Sequence, residues 1–322
     1  MNEKNNSTKS VIKKPEDLVT SREQTRAGFI SFALEKNRRS TPIIESAKSF
    51  RVLASNAKTA KDLLRIAEIR PAMLTASGLS DKALNYFSEE DKDKAILGLI
   101  ENFLEPAGKY FVDEVICRYL LIKGDSLGGS MRNIVGALAQ QKLIRTLLSN
   151  LSISGINYQW LDNKTKNWEN KLVDDFAVEE QLKALSWKNS PNKNRILVFN
   201  LNIPIVKNNI DICLFSANTD EYNDGDIVNT PENILMLGEL KGGIDPAGAD
   251  EHWKTGNTAL NRIRDSFVKN NLKIQTSFVA AAIEKKMANE IFVQLQNKTL
   301  SYAANLTIDT QLVNYCDWLL KL

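Results

Sequence analysis

From Ser21 to Lys123 the apolar residues return at three- and four-residue steps, the period of a helix. In "SREQTRAGFISFALEKN" Ser21 is placed to cap a helix, Gln24 follows three residues on, and Phe29, Phe32 and Ala33 form the apolar stripe. Two more helix starts fall at Ser80 and Ser88, and Phe111, Val115, Tyr119 and Ile122 space out a further helix. After Gly129 one long helix is expected through Val135, Ala139, Leu143, Leu147 and Leu151. The period then changes. Short apolar runs at residues 194–206, 210–215 and 234–240, punctuated by Asn, Pro and Gly, predict three strands. A helix follows, then a buried strand over residues 276–284 and a helix ending at Leu295. The pattern predicts an α/β protein of the α+β kind: a mixed sheet flanked by helices, preceded by an all-helical domain. The expected divisions are a polar, frayed tail over residues 1–20, a helical domain over 21–123 and a mixed domain over 124–322.

Composition narrows the picture only a little. With 43% hydrophobic and 25% charged residues and a net charge of +3, the chain reads as an ordinary globular protein that permits, without demanding, a nucleic-acid partner. Cys117, Cys213 and Cys316 lie far apart and read as buried small hydrophobes in a reducing compartment, not as a zinc site or disulfides. The amino terminus has no secretory pattern, and no apolar run approaches the roughly eighteen residues of a membrane span. A cytoplasmic protein is expected.

The stretch "GDSLGGSMRN" at residues 124–133 has Gly124, Ser126 and Gly128 at the spacing of a hydrolase nucleophile elbow. With Asp211 and the single histidine, His252, it also has a hydrolase chain order. The elbow needs a strand entering Gly124, whereas the entering segment has a helical period. Residues 124–127 also spell a Gly-Asp-Ser-Leu esterase signature, but those esterases place the acid three residues before the histidine, where Ala249 stands. The glycines are expected instead to form a flexible joint between the two halves, with Ser130 capping a helix from Met131. A serine hydrolase using Ser126 and His252 is thereby the weaker reading.

The stronger chemistry lies in "LGELKGG". Glu239 and Lys241, two apart near a strand end, share one face. Upstream, Asp211 interrupts the apolar run between Ile210 and Ile212, a costly place for a charge unless it is paired or binds metal. Asp211 and Glu239 on neighbouring strands would hold one hard divalent cation through oxygens, with the carbonyl of Leu240 as a third ligand. Lys241 would then orient or deprotonate a water, or offset phosphate charge. The bland alternative is a structural ion pair before a Gly-Gly turn, in a DNA-binding protein without catalytic activity. Asp245 and Pro246 next form a good helix start. Behind them Ala249, Trp253, Gly256, Leu260, Ile263 and Phe267 make one buried stripe, with His252 beside it as either a catalytic or a packing residue.

These segments together resemble a known family. An acid on one strand followed by Glu-x-Lys on the next is similar to the Pro-Asp…Asp/Glu-x-Lys nuclease core, with Ile210 where the proline stands. "GDSLGGSMRNI.GALAQQKL", "KN.IDICLF", "LGELKGGIDPAGADEHWKT.NTAL.RIR", "RAGFI.FALEKN.RSTP", "ASG.SDKA" and "ENFLEPAG", the dots marking positions outside the likeness, resemble the type II restriction endonucleases of the AvaI/BsoBI group over nearly the whole chain. That resemblance implies a restriction-endonuclease-like sheet core, a helical domain that embraces DNA, and a homodimer around the palindrome CYCGRG. It implies Mg²⁺-dependent cleavage of both strands and no nucleotide cofactor. Asp211 and Glu239 would be the metal-binding acids, Lys241 the catalytic lysine and His252 an additional base or a proton relay. Asp245 and Lys82 would lie against the bases. The glycine block would lie at the entry of the catalytic domain and carry no nucleophile.

Overall fold

The computed structural model describes residues 11–171, 177–190, 192–223 and 225–322. The chain divides into two compact units, Ile30–Ile134 and the remainder, and both borders fall inside helices. Ile30–Ile134 contains most of α1 (Arg22–Ala54), then α2 (Arg70–Ala76), α3 (Asp81–Leu84), α4 (Glu89–Leu99) and the first half of α5 (Phe111–Ile153). Its core gathers Phe50, Leu63, Ile69, Met73, Ile100, Leu104, Val115 and Tyr119. The helix starts are set by local chemistry. Ser21 and Gln24 exchange backbone hydrogen bonds as a capping box, and the hydroxyls of Ser80 and Ser88 accept the N–H of Ala83 and Asp91.

The second unit holds an eight-stranded sheet: β1 (Tyr158–Asp162), β2 (Trp168–Asn170), β3 (Leu182–Lys188), β4 (Asn194–Ile203), β5 (Asn208–Phe215), β6 (Ile234–Lys241), β7 (Gln275–Ala280) and β8 (Tyr302–Asn305). Its order is β2-β1-β3-β4-β5-β6-β7-β8; pairing is antiparallel as far as β6 and parallel from β6 to β8. Short helices α6 (Val178–Gln181) and α7 (Thr219–Asn223) lie in the connections. The parallel part needs crossovers, which are α8 (Pro246–Lys269) and α9 (Lys285–Gln296), and α10 (Asp309–Lys321) ends the chain. One sheet face packs on α8 and α9 through Trp253, Leu260, Ile263, Phe267, Phe278 and Ile291. The other packs on α5 and α10 through Leu143, Leu147, Leu151, Leu197, Ile212, Met236, Leu312 and Tyr315.

The mixed, helix-flanked sheet agrees with the sequence reading, and several local expectations do not. The glycine block is no joint: α5 runs unbroken from residue 111 to 153, and the Ser130 hydroxyl donates to the Leu127 carbonyl within it. Glycine inside a helix costs about 1 kcal/mol each, but apolar stripes on both sides of the block anchor a single helix. The sheet also has four strands that the apolar runs did not announce: β1, β2, β3 and β8. The run at 194–206 stops at Ile203, where Pro204 opens the β4–β5 turn, and β7 ends at Ala280. Ile12 and Leu18 are buried, so residues 11–20 are no frayed tail. The Asn305 amide reaches the Leu18 carbonyl, and Gln311 reaches that of Asp17. Phe29 and Ala33 are exposed, because α1 is longer than the core it covers; Ala47, Phe50 and Ala54 are its buried positions. Cys117 is exposed, while Cys213 and Cys316 are buried as expected. Among the described residues no helix is long and apolar enough to cross a membrane.

Candidate active site

The acids and the lysine meet where β5 and β6 separate. The ladder between them runs from Phe215–Ile234 to Ile212–Gly238, and one step further Asp211 stands beside Glu239. There a side chain takes over from the backbone: the Asp211 carboxylate accepts the N–H of Leu240 at 2.8 Å. The Lys241 ammonium lies 3.2 Å from Asp211 Oδ2 and 2.6 Å from Glu239 Oε2. β6 is held on its other edge by β7, and the Lys241 carbonyl accepts the N–H of Ala281 at 2.9 Å. The trio is therefore fixed by backbone on two sides.

Its electrostatics follow from burial. Glu239 is only 4% exposed. That burial, with the charge of Asp211, raises its carboxyl to about 7 against the pull of Lys241. Burial draws Lys241 downward, but Glu239 and Asp211 outweigh it, so the amine lies above its ordinary value and stays an ammonium. Two carboxylates and one ammonium leave the site short of positive charge when all are ionised. The donor set is hard oxygen, and the repulsion between the acids is what a divalent cation relieves; the residues present fit such an ion.

The turn after Lys241 is shaped by close approaches. A Cβ on Gly242 would meet the Val135 carbonyl oxygen of α5 at 2.5 Å, so only glycine lets the helix come this near. A Cβ on Gly243 would meet His252 Nε2 at 2.8 Å, which puts the exposed imidazole of α8 over the residue two places beyond Lys241. The structure thus brings His252 to the turn, not onto the carboxylates. Asp245 caps α8, its carboxylate accepting the N–H of Ala247 at 3.0 Å. Lys82 lies exposed on α3 in the other unit. Ser126 lies inside α5, with no strand entering it, which removes the elbow geometry. Three polar residues were not singled out from the sequence: Asn200, across the sheet from Asp211, and Gln140 and Lys183, which bond to Asn200. Gln140 falls inside the quoted glycine block without having been singled out there, Asn200 and Lys183 carry no motif, and only contacts join the three.

A mixed sheet flanked by helices, with Asp, Glu and Lys gathered where two central strands part, is the restriction-endonuclease fold. The family model described as "Restriction endonuclease BsobI" matches residues 8–322. The type II restriction enzyme BsoBI of Geobacillus stearothermophilus is 54% identical over 97% of both chains. The type II restriction enzyme AvaI of Nostoc sp. is 50% identical over 97% of this chain and 98% of its own, as is the AvaI of Anabaena variabilis. The chain belongs to the BsoBI family of restriction endonucleases.

Proposed function

We propose that this enzyme cuts both strands of double-stranded DNA at CYCGRG, as a homodimer using Mg²⁺, with Asp211, Glu239, Lys241 and His252 as its site. The observation that carries the reading is the convergence of a strand acid with the buried Glu239 and with Lys241 where β5 and β6 part, in a chain of this family. Asp211 and Glu239 would hold the metal, with the Leu240 carbonyl and water or phosphate oxygens completing its shell. Among the described residues no third carboxylate, histidine or cysteine joins them. The ion supplies charge neutralisation at the scissile phosphate and acidifies the attacking water.

The remaining roles fall to the chain's own groups. Lys241, kept as an ammonium by its two acids, is suited to offset phosphate charge and poorly suited to accept a proton. His252, exposed beside the turn that follows Lys241, would take that proton. Asp245 uses one carboxylate oxygen in capping and keeps the other for a base edge, and Lys82 would reach bases from the helical domain, residues 21–123. Residues 124–322 would form the nuclease domain. A palindrome is read most economically by a two-fold dimer, one half-site per subunit. Digestion of defined DNA with and without Mg²⁺, followed by sequencing of the ends, tests the metal dependence, the cleavage of both strands and the site. Metal-independent cleavage, or ends away from CYCGRG, would refute the corresponding part.

A further inference from the structure

A conformational outlier stands directly across the sheet from Asp211. β4 and β5 pair Phe199 with Ile212 and Leu201 with Ile210, so Asn200 is the residue opposite Asp211. Its φ is +52°, the left-handed region, which side chains avoid inside a strand and Asn tolerates better than most. Two side chains from other elements converge on it. The Lys183 ammonium of β3 donates to the carbonyls of Phe199 at 2.7 Å and Asn200 at 3.2 Å. The Asn200 amide donates to Gln140 Oε1 of α5 at 2.7 Å. Lys183 has no carboxylate partner among the described residues; its ammonium serves these two backbone oxygens.

Side-chain alternation breaks at the same place. Ile210 packs into the core on the α8 face and Ile212 into the core on the α5 face, although residues two apart in a strand ordinarily share a face. Asp211 sits between them, at the twist. Strain of this kind persists where the surroundings over-determine it, and it collects beside functional groups.

We infer that Asn200, held left-handed by Lys183 and Gln140, is a positioning residue for Asp211. The kink it places in β4 twists the paired strand β5, turning the Asp211 carboxylate out of the ladder toward the Leu240 N–H and Glu239. The inference rests on the reading of Asp211 as a metal ligand. Asn200 touches neither metal nor DNA in this role; it acts through the backbone.

Two substitutions separate the backbone from the amide. Asn200→Gly keeps the left-handed region accessible, whereas Asn200→Val drives the residue back to extended geometry. The readouts are Ca²⁺ binding to the enzyme–DNA complex by calorimetry and the Mg²⁺ midpoint of single-turnover cleavage. Asn200→Val is expected to weaken Ca²⁺ binding and raise the Mg²⁺ midpoint about 10–100-fold, the scale of losing a residue that orients a ligand. Asn200→Gly is expected to stay near wild type, and both to keep DNA affinity. A wild-type midpoint in Asn200→Val overturns the inference, and so does an Asn200→Gly that falls as far as Asn200→Val. Should Asn200→Val fail to fold, Lys183→Met decides on the same readouts: a raised midpoint supports the inference and an unchanged one overturns it. Wild-type enzyme that neither binds Ca²⁺ nor cuts with Mg²⁺ would instead fail the site assignment itself.

Discussion

The carboxylate of Asp211 and the backbone N–H of Leu240 are joined by a 2.8 Å hydrogen bond at the point where β5 and β6 stop pairing. The bond ties one acid to the peptide between the other acid and the lysine. Moving any one of the three therefore moves the rest, and the site behaves as a unit.

Asp211→Ala removes a candidate metal ligand and leaves the Leu240 N–H without its acceptor. Cleavage should fall by roughly 10³-fold or more, the scale of losing an essential group. DNA affinity should hold or rise, since a negative charge near a phosphate is deleted. Glu239→Ala should behave alike. Single-turnover rates beside equilibrium DNA binding check this, and near-wild-type cutting by either variant removes the assignment.

Glu239 makes the site sensitive to pH. Its folded-state value of about 7 lies above its ordinary 4.5. The protonated side chain favours the fold, and that contribution is lost as pH rises from about 4.5 to about 7. The metal-free enzyme should accordingly lose stability across that window, and Glu239→Gln should flatten the loss. Cation binding needs the ionised carboxylate, so Ca²⁺ affinity should rise through about pH 7 with release of a proton. Calorimetry in buffers of different ionisation heat measures the release; none at neutral pH would mean that Glu239 is already ionised.

His252 and Gly243 form a paired test. With His252 proposed as the proton acceptor, His252→Ala should cost roughly 10²–10⁴-fold in rate with little change in DNA affinity. In Gly243→Ala the new methyl would press on the imidazole Nε2, 2.8 Å away, a side chain that can move aside. That variant should fold normally and still lose rate. Equal rates across pH in wild type and both variants would return the proton to another acceptor.

Gly242→Ala should act on the fold. Its Cβ would lie 2.5 Å from the Val135 carbonyl oxygen and 2.7 Å from the Ala139 Cβ, so α5 or the turn must shift. Overpacking of this kind costs about 1–3 kcal/mol, readable as a lower denaturant midpoint. An unchanged midpoint would show that the contact yields freely.

Ser126→Ala should keep cleavage within roughly tenfold, far from the loss a true nucleophile brings. Its place inside α5 gives no strained turn to activate it. A collapse in rate with the fold intact would bring back the hydrolase reading.

Local chemistry explains what was legible in the chain alone. Ser21, Ser80, Ser88 and Asp245 cap the helices that they were expected to cap, because a cap needs only residues three or four apart. The stripe from Ala249 to Phe267 is buried at each of its six positions, since helical periodicity alone decides which face turns inward. Asp211, Glu239 and Lys241 stood out because charges inside apolar strands are costly without partners.

Tertiary structure decided the rest. The glycine block signalled a joint by local propensity, yet packing on either side made it the middle of one helix. The strands β1, β2, β3 and β8 form only because neighbouring strands offer an edge, which a period cannot report. The meeting of Asp211 with Leu240 and Lys241 depends on register across a 29- and 30-residue separation. The left-handed kink at Asn200 is contacted by Lys183 and Gln140, 17 and 60 residues away. Sequence sets preferences over a few residues; which strand twists, and toward which carboxylate, is settled only by contacts between segments far apart in the chain.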